Sequence, residues 1–383
     1  MRRVEPLRVL AVLGVLLVAG CTAGGGVDGF GPTPSGAAAP AVARLHPGEA
    51  PLVLGHRGAA GYRPEETLES FETGVRMGAD YLELDLVSTR DHVLVARHEN
   101  EISGTTDVAG HPEFASRRTT KVVDGASLVG WFTEDFTLAE LKTLRARERL
   151  PAVRPGNTDY DGRFPVPTFD EVLALRARLS SELGRPVGIA PETKHPAYFS
   201  GIGLPLEPPM LAALRAAGLD TPTAPVLVQS FELANLLALR TTQGMRARTI
   251  FLIDAKGAPA TKVPGAPSDY AGFVTAEGLA FLRGKVDAIG PDKGLVIPRT
   301  WQDTLGTPTD LVAAAHADGL SVIPFTFRAE NQFLPADYWV GTGLTTPGLA
   351  QQEQQAFLAA GVDGLFTDQP DVTVRARDAA PGR

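Results

Sequence analysis

The chain has 383 residues, with 36 Lys and Arg against 44 Asp and Glu, for a net charge of −8. Its 44% hydrophobic and 21% charged residues are the mixture of a folded protein with ample chain for a buried core. The acidic balance, without any Lys/Arg run, excludes a nucleic-acid partner, and the single cysteine excludes an intramolecular disulfide or a zinc site of several thiolates.

The first element is a leader. Arg2, Arg3 and Arg8 precede an apolar run from Val9 to Val18, too short for a membrane span of roughly 20 residues but suited to a signal-peptide core. The run closes on Leu17-Val18-Ala19-Gly20-Cys21, which resembles a bacterial lipobox. That resemblance implies removal of residues 1–20, diacylation of Cys21, and an exported protein anchored by lipid at the extracytoplasmic face of the cell membrane; two acyl chains suffice for stable anchoring. Residues 21–50 are Gly, Ala, Pro and small polar groups and read as a flexible tether. One domain is expected over 51–375, followed by a tail over 376–383.

Within that domain the apolar, β-rich runs begin at residues 51, 79, 187, 226, 248, 286, 320 and 362. Helical patterns lie between them, at Thr67 to Met77, Thr168 to Leu183 and Thr309 to Ala317. Eight strands with helical crossovers over this length predict an α/β fold of the (β/α)₈ barrel type. An open doubly wound sheet is less favoured, because no Gly-rich dinucleotide fingerprint follows any strand. The second strand runs through Thr89-Arg90-Asp91-His92 into Val93-Leu94-Val95-Ala96-Arg97-His98. This link is too short for a parallel crossover, so it predicts an antiparallel hairpin. Centred between residues 90 and 91, the hairpin sets Glu83 opposite His98. An insertion over about 99–165, with a helix from Leu138 to Arg147, is expected to cap the active-site mouth.

Barrel enzymes carry their chemistry at the C-terminal ends of the strands. Those ends hold His56 and Arg57, Glu83 and Asp85, His98 through the hairpin, and Glu192 and Lys194. Three inward carboxylates cannot all remain ionised together without a cation, and an all-oxygen donor set selects Ca²⁺ or Mg²⁺ over zinc. Two histidines, one divalent cation, and the fixed charges of Arg57 and Lys194 are the parts for phosphodiester cleavage.

Gly55-His56-Arg57-Gly58, Arg63-Pro64-Glu65-Glu66-Thr67, Glu83-Leu84-Asp85, His98-Glu99 and Glu192-Thr193-Lys194 are followed in order by Val228-Gln229-Ser230-Phe231 and the segment 361–370. Together they resemble the glycerophosphodiester phosphodiesterases, most closely the exported bacterial type. The resemblance implies a barrel that cleaves deacylated phospholipids to glycerol 3-phosphate and an alcohol through a cyclic phosphate. It implies His56 and His98 as the acid/base pair, and Glu83, Asp85 and Glu192 as ligands of a divalent cation, Ca²⁺ ahead of Mg²⁺. Glu65 is a supporting residue that braces the site or touches the metal. Phe231 and Phe327 are candidates to pack on the glycerol carbons, and Arg328 and Glu330 to lie at the mouth. The family more often has Asn where Glu66 stands and Asp where Glu99 stands. Two other readings are a phospholipase C/D-like enzyme acting on intact lipids and a non-catalytic lipoprotein that binds phosphodiesters; an acid/base pair counts against the second.

Overall fold

A computed structural model describes residues 49–379; the leader, Cys21, nearly all of the tether and the last tail residues lie outside the described residues. The strands are β1 (Leu52–Gly55), β2 (Tyr81–Ser88), β3 (Leu94–Ala96), β4 (Thr119–Val123), β5 (Ala126–Gly130), β6 (Gly188–Thr193), β7 (Leu227–Ser230), β8 (Arg248–Ile253), β9 (Ala288–Pro291), β10 (Ser321–Val322) and β11 (Gly364–Thr367). Eight of them form one parallel sheet in the order β10-β9-β8-β7-β6-β2-β1-β11. The two ends approach through Asp363 N–H to Val322 O at 2.8 Å and Phe327 N–H to Phe366 O at 2.9 Å, giving a near-closed barrel. All eight runs expected from the sequence are these strands.

Period-two alternation explains how the barrel makes a site. Leu54, Tyr81, Ala190, Leu227, Ile250, Ala288, Ile323 and Phe366 form an apolar cluster separate from the larger outer core. Two residues further along several of these strands, the same inward face carries His56, Glu83, Glu192, Gln229 and Asp368. Leu82, Leu84 and Leu86 face the outer core against the helices. Thr67 caps the helix Leu68–Arg76, accepting from Ser70 N–H, and Thr168 with Glu171 forms a capping box on the helix Phe169–Leu183.

Three local expectations change. The β2–β3 hairpin pairs Leu86 with Ala96 and Ser88 with Leu94, so facing residues sum to 182 rather than 181. The cause is a three-residue loop closed between Thr89 and Val93, with His92 at φ 61°. Glu83 and His98 are therefore not ladder partners; the last cross-strand bond is Arg97 N–H to Asp85 O at 3.0 Å, and His98 follows it at the mouth. The helix expected over 138–147 lasts one turn, Leu138–Leu141. Its continuation instead bonds across the insertion, with Ala146 N–H to Phe164 O and Arg147 N–H to Thr105 O. The insertion also holds the β4–β5 hairpin, turned at Asp124 (φ 47°) and Gly125 (φ 84°), a type I′ Asp-Gly turn.

Candidate active site

A cavity of about 430 Å³ opens at the C-terminal ends of the strands, lined by His56, Arg57, Glu83, Asp85, His98, Glu192, Lys194 and Phe231, among others. The β1 turn begins it. His56 N–H bonds Thr367 O at 2.9 Å, and Arg57 follows with φ 52°. Gly58 has φ +91°, and a Cβ there would lie 2.4–2.6 Å from backbone atoms of Ser70 and Phe71. Only glycine lets the turn sit on the start of the helix Leu68–Arg76. Arg57 N–H then donates to Glu83 Oε2 at 2.7 Å, while its guanidinium contacts Glu65 Oε2 at 3.0 Å and Asp85 Oδ2 at 3.2 Å.

Asp85 and Glu192 are register partners on adjacent strands, and Glu83 lies two residues before Asp85. One oxygen from each of Glu83, Asp85 and Glu192 lies within 4.8 Å of the others. Glu83 Oε1 accepts from Gln229 Nε2 at 2.7 Å, and Lys194 Nζ lies 2.9 Å from Glu192 Oε1. Asp85 Oδ2 is buried and accepts no hydrogen bond, because the nearby Arg57 Nε is misaligned. Three buried carboxylates with an oxygen lacking a proton donor fit a hard divalent cation. Burial, reinforced by the neighbouring charge of Asp85, pushes Glu83 well up; burial also raises Glu192, to about 8, against the pull of Lys194. Burial would raise Asp85 too, but Lys194, His98 and Arg57 hold it low. Glu66, whose Oε1 accepts from Asp85 N–H at 3.0 Å, is driven well up by burial and by Asp85 and Glu83.

Each histidine has a carboxylate at Nδ1. His56 Nδ1 lies 2.6 Å from Asp368 Oδ1, and His98 Nδ1 is bonded to Glu99. Burial, then Arg57, lowers the pKa of His56, with Asp368 opposing. Burial, then Arg57 and Lys194, lowers His98 well below the usual imidazole value. In both rings Nδ1 is engaged by a carboxylate, which leaves Nε2 as the nitrogen for chemistry. The further cavity wall includes the cations Lys293, Arg299 and Arg328.

The structure brings together His56, His98, Glu83, Asp85, Glu192, Arg57, Lys194 and Phe231. Glu65 is a brace: its carboxylate is bound by Arg57 and by Arg149 (Nη2 to Oε1, 2.6 Å), and it is outside the carboxylate triad. Phe327 is a correction. It is fully buried in the outer core with its ring 4.9 Å from Phe357, and Phe325 instead lines the cavity, 5.6 Å from Phe231. Regular pairing in β10 stops at Val322, so simple alternation does not carry to residue 327. Glu330 is buried against Arg154 at 2.6 Å rather than free at the mouth. Sequence reading assigned no role to Asp368, Arg149 or Arg154. Asp368, directly after the last strand, was within reach of the same strand-end rule that identified Glu192.

A family model described as "Glycerophosphoryl diester phosphodiesterase family" matches residues 56–372. A glycerophosphodiester phosphodiesterase of Arabidopsis thaliana is 35% identical over 340 residues, 83% of each chain. One from Haemophilus influenzae is 28% identical over 342 residues, 84% of this chain and 88% of that one. Among solved structures, a putative glycerophosphoryl diester phosphodiesterase from Silicibacter pomeroyi superposes with TM-score 0.61 at 24% identity, covering 88% of this chain and 95% of that one. A phosphodiesterase from Oleispira antarctica, in complex with the product sn-glycerol-3-phosphate, gives 0.56 at 18% identity, covering 86% and 98%. These two likenesses bear on the fold, and the fold is the barrel described above.

Proposed function

Because the chain belongs to the glycerophosphoryl diester phosphodiesterase family of enzymes, we propose that it hydrolyses glycerophosphodiesters to sn-glycerol 3-phosphate and an alcohol, with His56 and His98 as the acid/base pair. The observation that carries this reading is the meeting of two carboxylate-held imidazoles and a buried carboxylate triad on one cavity. The named activity of the relatives, and the product bound in the Oleispira antarctica enzyme, support it.

In the proposed reaction one histidine, neutral, takes the proton of the glycerol 2-hydroxyl as that oxygen bonds to phosphorus. The other, as imidazolium, protonates the departing alcohol oxygen as its bond to phosphorus breaks. The substrate's own negative charge, arriving beside the second ring, favours its protonated form. Water then opens the cyclic phosphate with the two roles exchanged. Arg57 and Lys194 offer positive charge to the phosphoryl oxygens, and Phe231 offers an apolar face to the glycerol carbons. A divalent cation, Ca²⁺ ahead of Mg²⁺, held by Glu83, Asp85 and Glu192, would neutralise phosphoryl charge as a Lewis acid. The leader sequence supports a lipid anchor at Cys21, placing the enzyme outside the cell membrane.

The test is a coupled assay for glycerol 3-phosphate release from several glycerophosphodiesters, from polyglycerol phosphate and from intact phospholipid, before and after chelation. His56→Ala and His98→Ala are expected to lose at least about 1,000-fold in kcat while remaining folded. Rates near wild type in either variant would remove that residue from the mechanism. Full activity after exhaustive chelation would remove the cation.

A further inference from the structure

Taking His56 and His98 as the acid/base pair, we propose that one turn of the insertion positions both rings: Arg154 through Asp368 to His56, and Arg149 through Glu99 to His98. The turn is short and internally bonded, with Arg154 N–H donating to Leu150 O at 2.8 Å and Val153 N–H to the same oxygen at 2.9 Å. Arg149 immediately precedes this turn and Arg154 closes it, so the two arginines leave one small piece of backbone, one toward Glu99 and the other toward Asp368.

On one side, Arg154 Nη2 lies 2.6 Å from Asp368 Oδ2, while Asp368 Oδ1 lies 2.6 Å from His56 Nδ1. Arg154 also bonds Glu330 Oε1 through Nε at 2.6 Å and Ala60 O through Nη1 at 2.9 Å. The guanidinium thus reaches three acceptors, and its fixed plane aims the second oxygen of Asp368 at the ring. Arg154, Asp368 and Glu330 are all buried, and Asp368 Oδ2 also accepts from Arg328 Nε at 3.1 Å, so removing Arg154 leaves Asp368 with only that half-buried second cation to offset its charge next to His56. On the other side, Arg149 is bidentate to Glu99, at 2.9 and 2.6 Å, and Glu99 is bonded to His98 Nδ1. Arg149 also holds Glu65, at 2.9 and 2.6 Å, and Glu65 in turn holds Arg57.

A carboxylate at Nδ1 fixes which nitrogen carries the proton and how the ring is turned. An arginine behind that carboxylate fixes the carboxylate itself. Neither arginine lines the cavity, so both act through another residue and are positioning residues rather than catalytic ones. The insertion, expected to cap the mouth, instead supports the site from behind: no residue of 99–165 is among those lining the cavity.

The experiment measures kcat, KM, the pH profile and the unfolding midpoint on the full chain for Arg154→Met, Arg154→Lys, Arg149→Met and His56→Ala. Lys142→Met is the control, since Lys142 pins the insertion to Glu171 on the outer face, away from the cavity. Arg154→Met is expected to lower kcat about 100-fold with KM within about threefold, the scale of a ring displaced by an ångström. Arg154→Lys should recover about tenfold of that, because an ammonium keeps the charge but not the three-way fork. The groups facing His56 are Asp368, Arg57 and Arg328. Loss of the nearby Arg154 cation leaves the Asp368 charge less offset, so the limb of the profile belonging to His56 should move to higher pH. Arg149→Met should lower kcat and also raise KM, because Arg57 loses its brace. Lys142→Met should keep wild-type kcat.

Wild-type kcat in Arg154→Met, or a loss matching only the unfolded fraction with the pH limb unmoved, would make the arginine a structural pin and overturn the inference. If Arg154→Met does not fold, Arg154→Lys with unchanged kcat and pH limb overturns it equally. An active His56→Ala would instead overturn the catalytic assignment on which the inference rests, whereas an inactive His56→Ala beside an indifferent Arg154→Met overturns the inference alone.

Discussion

Removing the cation from the carboxylate cluster should make the stability of this protein fall as pH rises through the neutral range. Glu192 is raised by burial to about 8, and burial and Asp85 raise Glu83 as well. A carboxyl whose folded pKa lies above its unfolded value binds more protons when folded, so its contribution is present below the unfolded pKa. It is lost as pH climbs through the folded pKa, here between about 4.5 and 8. His56 and His98, whose pKa values are lowered, act in the opposite sense below about pH 6.5, so the decline belongs to the range above it. A bound divalent cation replaces the protons. At 100 times its Kd it adds about 2.7 kcal/mol, which in a chain of this size is on the order of 5 °C in Tm. The assay is thermal unfolding at pH 6, 7 and 8 after chelation, repeated with Ca²⁺ and with Mg²⁺. Tm should decline from pH 7 to 8 in the chelated protein and flatten when the cation is present. Calorimetric titration near pH 7 should detect on the order of one proton released per cation bound. A chelated protein with the same Tm at pH 7 and 8, and no proton release on adding either metal, would refute the argument.

Four further outcomes are expected. Phe327→Ala should destabilise the protein by about 3–5 kcal/mol in a denaturant titration, because it empties a fully buried ring site; Phe231→Ala, at the half-buried cavity wall, should raise KM with a much smaller effect on stability. Gly58→Ala should cost more than about 2 kcal/mol, since the added methyl meets backbone rather than a side chain that can move; an unchanged denaturation midpoint would contradict the close approach at that turn. Cys21→Ser should move the protein from the membrane to the soluble fraction on cell fractionation, and unchanged sedimentation with membranes would count against lipidation.

The eight strands were legible in the sequence because each is a short apolar, β-rich run, the pattern of a parallel strand buried on both faces. Most of the candidate site was legible for a related reason: His56, Glu192 and Lys194 fall at or just past strand ends, and Glu83 and Asp85 share one face of β2, both local features. The hairpin register was off by one because loop length decides it, and the left-handed conformation of His92 is not announced by its residue type. The Asp124-Gly125 hairpin did carry its signal, an Asp-Gly pair between β-prone runs, and could have been read from it. The helix expected through residue 147 failed because its C-terminal half found partners at Asp107, Thr105 and Phe164, contacts that no local propensity contains.

The sequence by itself determined the alternation of strands and helices and the residue types at the mouth, since these depend on neighbours two to four positions apart. Only the tertiary structure decided that Asp368 meets His56 across 312 positions and that Arg154 meets Asp368 across 214. It also decided that Phe325 rather than Phe327 faces the cavity. Those pairings follow from closing the barrel and folding the insertion back on it, and chain closure brings together residues whose separation carries no periodic mark.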